Sequence, residues 1–455
     1  MNRRRSLFSH RSRLIATMWL CVASCFAQER VLQADLRSYL DPYVRTQNFA
    51  GAVRMERDGK VLFEQEYGLA DREKGVANDA GTRFHIASIS MQFTAAAVLR
   101  LVDQGTIRLD TRVGEIVPGI PGGDKITIRD LLVERSGLTD INNLPEYTEI
   151  LQQHQTPESL VAKIKDHPLL FEPGSKYLHE EHSAYNLLAL IVEKKTGLSF
   201  GKALKTLVFE PAHLSQTLID DDVAGGGTDA TGYRPVGVSG LERVAPIHWS
   251  AKTGNASVVT TARDLTHWVE EELEGQFLKD GSARVVRETD PRVGFGWMRG
   301  ASERYHETTY YMNGRAPGFS SFVLYLPSEK MTVVVLSNIY SSATTSIGYD
   351  LAAIALGLPY KEFRPENVSR DRLKRYTGKF QFGADFYQAN AQVTVTEDGS
   401  DLVLRWPSGD ISPLIAIEPD SFVDRSYWEE VRIERDEAGS AKALLYGQFR
   451  GTKVD

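Results

Sequence analysis

Ser88 stands where a short apolar run, Phe84-His85-Ile86-Ala87, gives way to helical spacing, with Phe93, Ala97 and Leu101 on one side and Gly105 as a stop. A serine in the first turn of a helix meets the positive helix end, and its own backbone N–H can serve in an oxyanion hole. The chemistry this points to is nucleophilic: the hydroxyl attacks a carbonyl once a base accepts its proton. Candidate bases lie in His179-Glu180-Glu181-His182, two imidazoles and two carboxylates in one short stretch. His182, or His179, could take the Ser88 proton with Glu180 or Glu181 orienting it, which would be Ser-His-acid geometry. The same cluster also reads as a solvated loop following Pro173-Gly174. Metal ligation by these histidines, with His85 and His306, is disfavoured because the spacing is not His-Glu-x-x-His and no cysteine assists. Near the other end of the region, Gly314 would let a strand approach a ligand closely, and Arg315 could pair with a substrate carboxylate.

Positioning these side chains requires a sheet covered by helices. Leu32, Leu36, Tyr39, Leu40 and Val44 recur at helical spacing, and Gly51 to Tyr67 reads as two strands around an Asp58-Gly59 turn. Helices fit Ser88–Gln104, Ile128–Glu134, Tyr185–Thr196 and Ala262–Leu273. Strands fit Phe319–Leu326 and Met331–Ser337, and a short helix runs to Leu356. Helices between early and late strands predict an α/β (α+β) domain over residues 30–360, an antiparallel sheet flanked by helices. Beyond a polar linker at Pro365–Ser369, six short β-like runs follow: Gly378–Phe382, Gln392–Thr396, Asp401–Trp406, Ser412–Ile417, Trp428–Arg435 and Ala443–Phe449. They predict a small antiparallel β-barrel domain over residues 366–455.

The segment from Phe84 to Ala96 resembles the first motif of the serine β-lactamase, penicillin-binding protein and D-aminopeptidase superfamily, Ser-x-x-Lys. The resemblance continues for about 300 residues. It includes Leu131-Leu132 with Ser136-Gly137-Leu138, Pro173-Gly174-Ser175, Tyr185-Asn186-Leu187-Leu188 and Thr260-Thr261-Ala262 with Asp264-Leu265. Gly294-Phe295-Gly296-Trp297, Pro317-Gly318-Phe319-Ser320-Ser321 and Leu336-Ser337-Asn338 complete it. The C-terminal β segment resembles the lipocalin-like barrel of secreted relatives. The resemblance implies that Ser88 is the nucleophile and that the Arg315 N–H is a second oxyanion donor. Three motif positions depart from it. Met91 occupies the lysine position, and a thioether cannot accept a proton. The Tyr-x-Asn motif falls on Glu180 and His182 counted back from Tyr185, or its Tyr on His179 counted forward from Pro173. Met312-Asn313-Gly314 stands for His-x-Gly or Lys-Thr-Gly.

The chain has 455 residues, 42% hydrophobic and 25% charged, which excludes disordered and collagen-like classes, and its net charge of −7 gives no basic footprint for nucleic acid. Arg3, Arg4, Arg5, Arg11 and Arg13 precede an apolar stretch from Leu14 to Phe26 closed by Ala27, the pattern of an export signal over residues 1–27. Its removal takes five arginines and no acid, leaving −12. Both cysteines, Cys21 and Cys25, lie inside it, and Val22-Ala23-Ser24-Cys25 resembles a lipobox that would tie the protein to a membrane through Cys25. Periplasmic or secreted residence is the expectation, with no cofactor. Two functional readings stand. In the first, the chain is a non-catalytic or strongly altered homologue that binds a small-molecule or peptide ligand, peptidoglycan-derived or β-lactam-like, with Met91, Met312, Gly314 and Arg315 lining the site. In the second, it is an active serine hydrolase working through an acyl-enzyme, with Ser88, His182 and Glu180 catalytic.

Overall fold

Phe319–Leu326 (β6) and Met331–Ser337 (β7) are mostly apolar and buried along their whole length, and Gly51–Arg57 (β1), though it carries Arg54, Glu56 and Arg57, is buried from Gly51 to Met55. Such strands need cover on either side. In the computed structural model they form the centre of a seven-stranded antiparallel sheet. Its other members are Lys60–Tyr67 (β2), Val293–Gly294 (β3), Trp297–Ser302 (β4) and Glu307–Ala316 (β5), in the order β3-β4-β5-β6-β7-β1-β2. The described residues are 29–178, 181–219, 229–275, 277–288, 293–366, 373–399 and 401–454. The expected export segment with Cys21 and Cys25, and both His179 and Glu180, lie outside them.

The β1–β2 connection is the expected hairpin: Asp58 and Gly59 both have positive φ, 50° and 70°, and Arg57 faces Lys60. One sheet face packs against Ser90–Asp103 (α2), His182–Thr196 (α3) and Ala262–Leu273 (α4) through a core that includes Ile86, Phe93, Leu188, Trp268 and Val334. The opposite face is covered by residues 29–45 (α1) and Ala343–Ala355 (α5), with Leu40, Met55, Phe322, Val335 and Ile347 between them. The α/β (α+β) expectation holds. Two extents differ. Helix α3 starts at His182 rather than Tyr185, because the N–H of His182 is taken by Asp140 Oδ2 at 3.0 Å, a partner remote in sequence. Strands β3 and β4 were not among the expected elements, and β5 was expected only as the strand carrying Gly314 and Arg315.

The C-terminal segment is a closed eight-stranded barrel of Gly378–Gln381, Gln392–Asp398, Asp401–Arg405, Ile411–Glu418, Ser421–Asp424, Glu430–Arg435, Ala441–Tyr446 and Phe449–Val454 (β8–β15). The expected run Ala443–Phe449 is two strands, β14 and β15, joined at Gly447, whose φ is 55°. The short strand Ser421–Asp424 was missed.

One buried side chain is central to the junction of the barrel with the larger domain. Arg425, directly after β12, is fully buried. Its Nε donates to Asn48 Oδ1 at 2.7 Å and its Nη2 to Gln47 O at 2.9 Å. Its Nη1 donates to Gly237 O at 2.6 Å, Gly240 O at 2.7 Å and Val236 O at 3.2 Å. Ser341 Oγ donates to Arg425 O at 2.7 Å, and Ser342 N to Ser426 O at 3.1 Å. A buried guanidinium with each of its nitrogens hydrogen-bonded is stable where an unpartnered one is not.

Glu272 on α4 contrasts with this. It accepts from Trp297 Nε1 at 2.8 Å, its other oxygen has no partner, and burial pushes its carboxyl up to about 8.

Two outcomes follow. Arg425→Ala strands buried carbonyls at the domain junction, at about 1–3 kcal/mol for a buried acceptor left unsatisfied, read in calorimetry as a barrel transition separated from and below that of the larger domain; a single unshifted transition contradicts the fastening role. Glu272 keeps its proton in the folded state above its ordinary 4.5 whereas the unfolded chain releases it, so stability falls as pH rises from about 5 toward 8. Glu272→Gln retains the acceptor for Trp297 and should flatten the decline in Tm across that window; an unaltered slope would refute it.

Candidate functional site

The turn carrying Ser88 is built from both sides. Phe84 and His85 pair with Thr260 and Val259, and Ile86 N donates to Val258 O at 3.2 Å. The chain then enters a single turn, Ala87–Ile89, that runs into α2. Ala87 has φ 48°, a left-handed conformation that costs a non-glycine residue and persists only when its surroundings enforce it. Those surroundings are β5 and β6. A Cβ on Gly314 would lie 2.4 Å from Ile86 O, 2.5 Å from Ser321 Oγ and 3.0 Å from Ala87 Cβ, so no other residue fits there. Ser321 Oγ donates to Ile86 O at 2.7 Å, tying the turn to the sheet. Ser90, the other hydroxyl nearby, is occupied structurally, accepting from Val258 N at 3.0 Å.

Ser88 itself is 5% exposed, and among the described residues nothing hydrogen-bonds its Oγ. Met91, one helical turn on, is fully buried in the core that also holds Met312, Leu131 and Trp268. The two methionines therefore pack beneath the site and expose almost no surface to a ligand. A Cβ on Gly296 would meet Gln92 N at 2.4 Å, so the β3–β4 turn presses on α2 at this point.

The second expected partner segment divides. Glu181 turns inward, its carboxylate accepting from Gly137 N and Ser136 Oγ, both at 2.8 Å, and from Ser136 N at 3.1 Å. Burial pushes it up to about 7 against the pull of those donors. It holds the Ser136-Gly137 turn and does not orient a histidine. His182 is oriented by a residue that sequence reasoning missed, Asp140, whose Oδ2 lies 3.0 Å from Nδ1, and Asn142 Nδ2 stands 3.1 Å from the same nitrogen. Burial raises the Asp140 carboxyl, but the hydrogen bond and charge of His182, with backbone N–H donors, outweigh it and hold it below the usual range. No hydrogen bond joins His182 to Ser88. Among the described residues no acid and histidine cluster could hold a metal.

A lysine–tyrosine pair also escaped the sequence. Lys252 Nζ donates to Tyr147 OH and lies 4.9 Å from that ring's centroid. Lys252 ends the one-turn helix Trp249–Lys252, whose Trp249 covers Ala87 together with Ala256 and Ala316 and stacks on His85 at 3.4 Å. Residues three apart in such a turn share a face, so Lys252 lies on the same side of the turn as Trp249. Burial first, then the charges of Asp140 and Tyr340, raise the Tyr147 phenol above its ordinary value. Tyr340 in turn carries the Arg315 guanidinium 4.2 Å from its ring centroid. No motif spacing marks Tyr147, Lys252 or Asp140, and only their convergence in space identifies them.

One edge beside Ser88 is open. Strand β4 pairs with β5 from Glu307 to Tyr311 and stops, so that among the described residues Met312–Ala316 pair only with β6. An unpaired strand edge offers backbone donors and acceptors to an extended ligand.

Comparison with known proteins agrees with this arrangement. The chain is 25% identical over 305 residues to the protein flp of Staphylococcus aureus strain MRSA252, covering 64% of this chain and 59% of that one. It therefore spans somewhat less than two thirds of that relative's length. It is 24% identical over 323 residues to the putative penicillin-binding protein PbpX of Bacillus subtilis, covering 70% of this chain and 78% of the relative. The octameric penicillin-binding protein homologue from Pyrococcus abyssi superposes with a TM-score of 0.64 at 21% identity, over 92% of this chain and 99% of its own. The β-lactamase family profile matches residues 36–356, from α1 to the end of α5, and the chain belongs to the β-lactamase family.

Proposed function

We propose that this protein is an exported, penicillin-binding-protein-like member of its family that binds its ligand at the Ser88 cleft without the family's ordinary acylation. The observation that carries the reading is a preserved frame around an unassisted hydroxyl. Gly314 and Ser321 hold the Ser88 turn as tightly as the fold permits, yet Ser88 Oγ has no hydrogen-bond partner among the described residues, and the side chain one turn on is Met91. A thioether cannot take the proton, and loss of a general base costs about 10²–10⁴ in rate. Backbone recognition does not depend on that proton. The N–H groups of Ser88 and Arg315 and the open edge Met312–Ala316 would still receive a carbonyl and an extended chain, which suits a peptidoglycan-derived peptide or a β-lactam-like molecule. Export rests on the arginine-rich head and apolar stretch of residues 1–27.

The Lys252–Tyr147 pair favours a second reading. An amine and a phenol in contact on the cleft wall could relay the Ser88 proton to a leaving group while the serine oxygen bonds the acyl carbon. His182 serves this less well, since Asp140 and Asn142 occupy its Nδ1 side.

Incubation with benzylpenicillin and with a fluorophosphonate, followed by intact mass, separates the two readings. The binding reading expects no adduct on the wild type and one on Met91→Lys that disappears in the Met91→Lys, Ser88→Ala double variant. An adduct on the wild type that is lost in Ser88→Ala overturns it. Its further loss in Lys252→Met or Tyr147→Phe would assign the proton acceptor to that pair.

A further inference from the structure

The barrel strands follow one another in chain order, so alternate connections gather at the same end. The end that holds the connections β8–β9, β10–β11, β12–β13 and β14–β15 carries Phe386 and Tyr387, Trp406, Glu429, and Tyr446 with Phe449, in that order. Phe386 belongs to the barrel core, stacked on Phe382 at 4.0 Å. Tyr387 lies outside that core. It is 71% exposed, although Phe449, Phe386 and Tyr446 stand 5.0, 5.4 and 6.2 Å from its centroid. These rings meet it at 62–87°, so none stacks over its face. Trp406 and Tyr446 have their polar tips bonded within the barrel, to Ser412 Oγ and Asp424 Oδ2, each at 3.0 Å, and bring only ring carbon to the cluster.

A single exposed ring needs no explanation, but this one stands beside a carboxylate without a counter-ion. Glu429 is half-buried, and a Cβ on Gly447, two residues before Phe449, would lie 2.8 Å from its Oε1. Burial and then the Glu429 charge raise the Tyr387 phenol. Among the described residues no cation pairs with Glu429. It accepts from Glu430 N at 3.2 Å, and Lys361, the base within electrostatic reach, is bonded to Glu430 Oε2. Burial first, and then the charge of Glu430, outweigh the backbone donor and hold the Glu429 carboxyl above its ordinary range. Ring faces attract a cation, and a carboxylate in reach of them supplies its partner. An anion would be repelled by Glu429 and Glu430, and a neutral apolar group would leave the carboxylate unanswered. We propose that this end of the barrel binds an alkylammonium group, with Glu429 as its counter-ion and Tyr387 and Phe449 as its aromatic walls. The barrel is then a recognition module in its own right, and the site does not depend on the Ser88 cleft. The same β12–β13 connection carries Arg425, so the buried bonds at the domain junction also set where Glu429 stands.

The test is a titration of the full chain, ring-labelled with ¹³C at tyrosine, followed by NMR at the Tyr387 resonance, which Tyr387→Phe assigns. The probes are N-acetyl-lysine N-methylamide and the same compound acetylated on its side-chain nitrogen, which removes the charge and keeps the alkyl stem. The charged probe should shift the resonance saturably and bind at least about tenfold more tightly than the acetylated one, the scale of one charged contact. Glu429→Gln should weaken the charged probe by about the same factor and leave the acetylated one as it was. Its Tm should hold or rise, since burial disfavours that carboxylate; weaker binding with a lowered Tm would make Glu429 structural and overturn its role. Read at Tyr446, Tyr387→Phe should bind as the wild type does and Tyr387→Ala more weakly. The comparison of the two probes needs no variant to fold. Equal shifts from both would mean an apolar patch, and no shift from either an inert surface, and each overturns the proposal. A Tyr387 shift that grows with protein concentration in the absence of probe would also overturn it, because a second copy of the chain would then cover this face.

Discussion

The contact between Gly314 and the Ser88 turn is the constraint on which the rest of the architecture depends. Ile86 O lies where a Cβ would stand, and Ser321 Oγ bonds the same oxygen. Ala87 is consequently held at φ 48°, and the chain leaves that bend directly into α2 with Ser88 at its head. A central sheet buried on both faces makes the bend rigid, because β5 cannot withdraw without unseating β6 and β7. The frame is thus specified by backbone fit, and side chains around it can change without dissolving it.

That independence would let a cleft persist with altered proton chemistry, as the proposed function requires. Met91 and Met312 fill core volume, and methionine suits irregular core space. The polar groups that converge nearby, Asp140 with His182 and Lys252 with Tyr147, belong to the helical wall and are organised among themselves. The junction with the barrel follows the same logic in reverse. There one arginine with every nitrogen bonded fixes the geometry.

Much of this frame was legible in the sequence. The β1–β2 hairpin came from Asp58-Gly59, and β6 and β7 came from stretches that alternate or run apolar like paired strands, since local chemistry dictates them. The Ser88 turn was legible because a run of small and apolar residues changes period at that point. What escaped was long-range. The start of α3 depends on Asp140 reaching across to the His182 N–H, and Glu181 swings to Ser136 and Gly137 instead of to its neighbour. Lys252 and Tyr147 are brought together by helix packing with no shared spacing. In the barrel, Gly447 hides a turn inside a run that reads as one strand.

The central claim is that the fold retains the cleft and that Ser88 is not acylated in it. A crystal structure of the wild-type protein soaked in benzylpenicillin tests this most directly. The account predicts an intact β-lactam ring in the cleft, separate from Ser88 Oγ. Continuous density from Ser88 Oγ to an opened ring would contradict it.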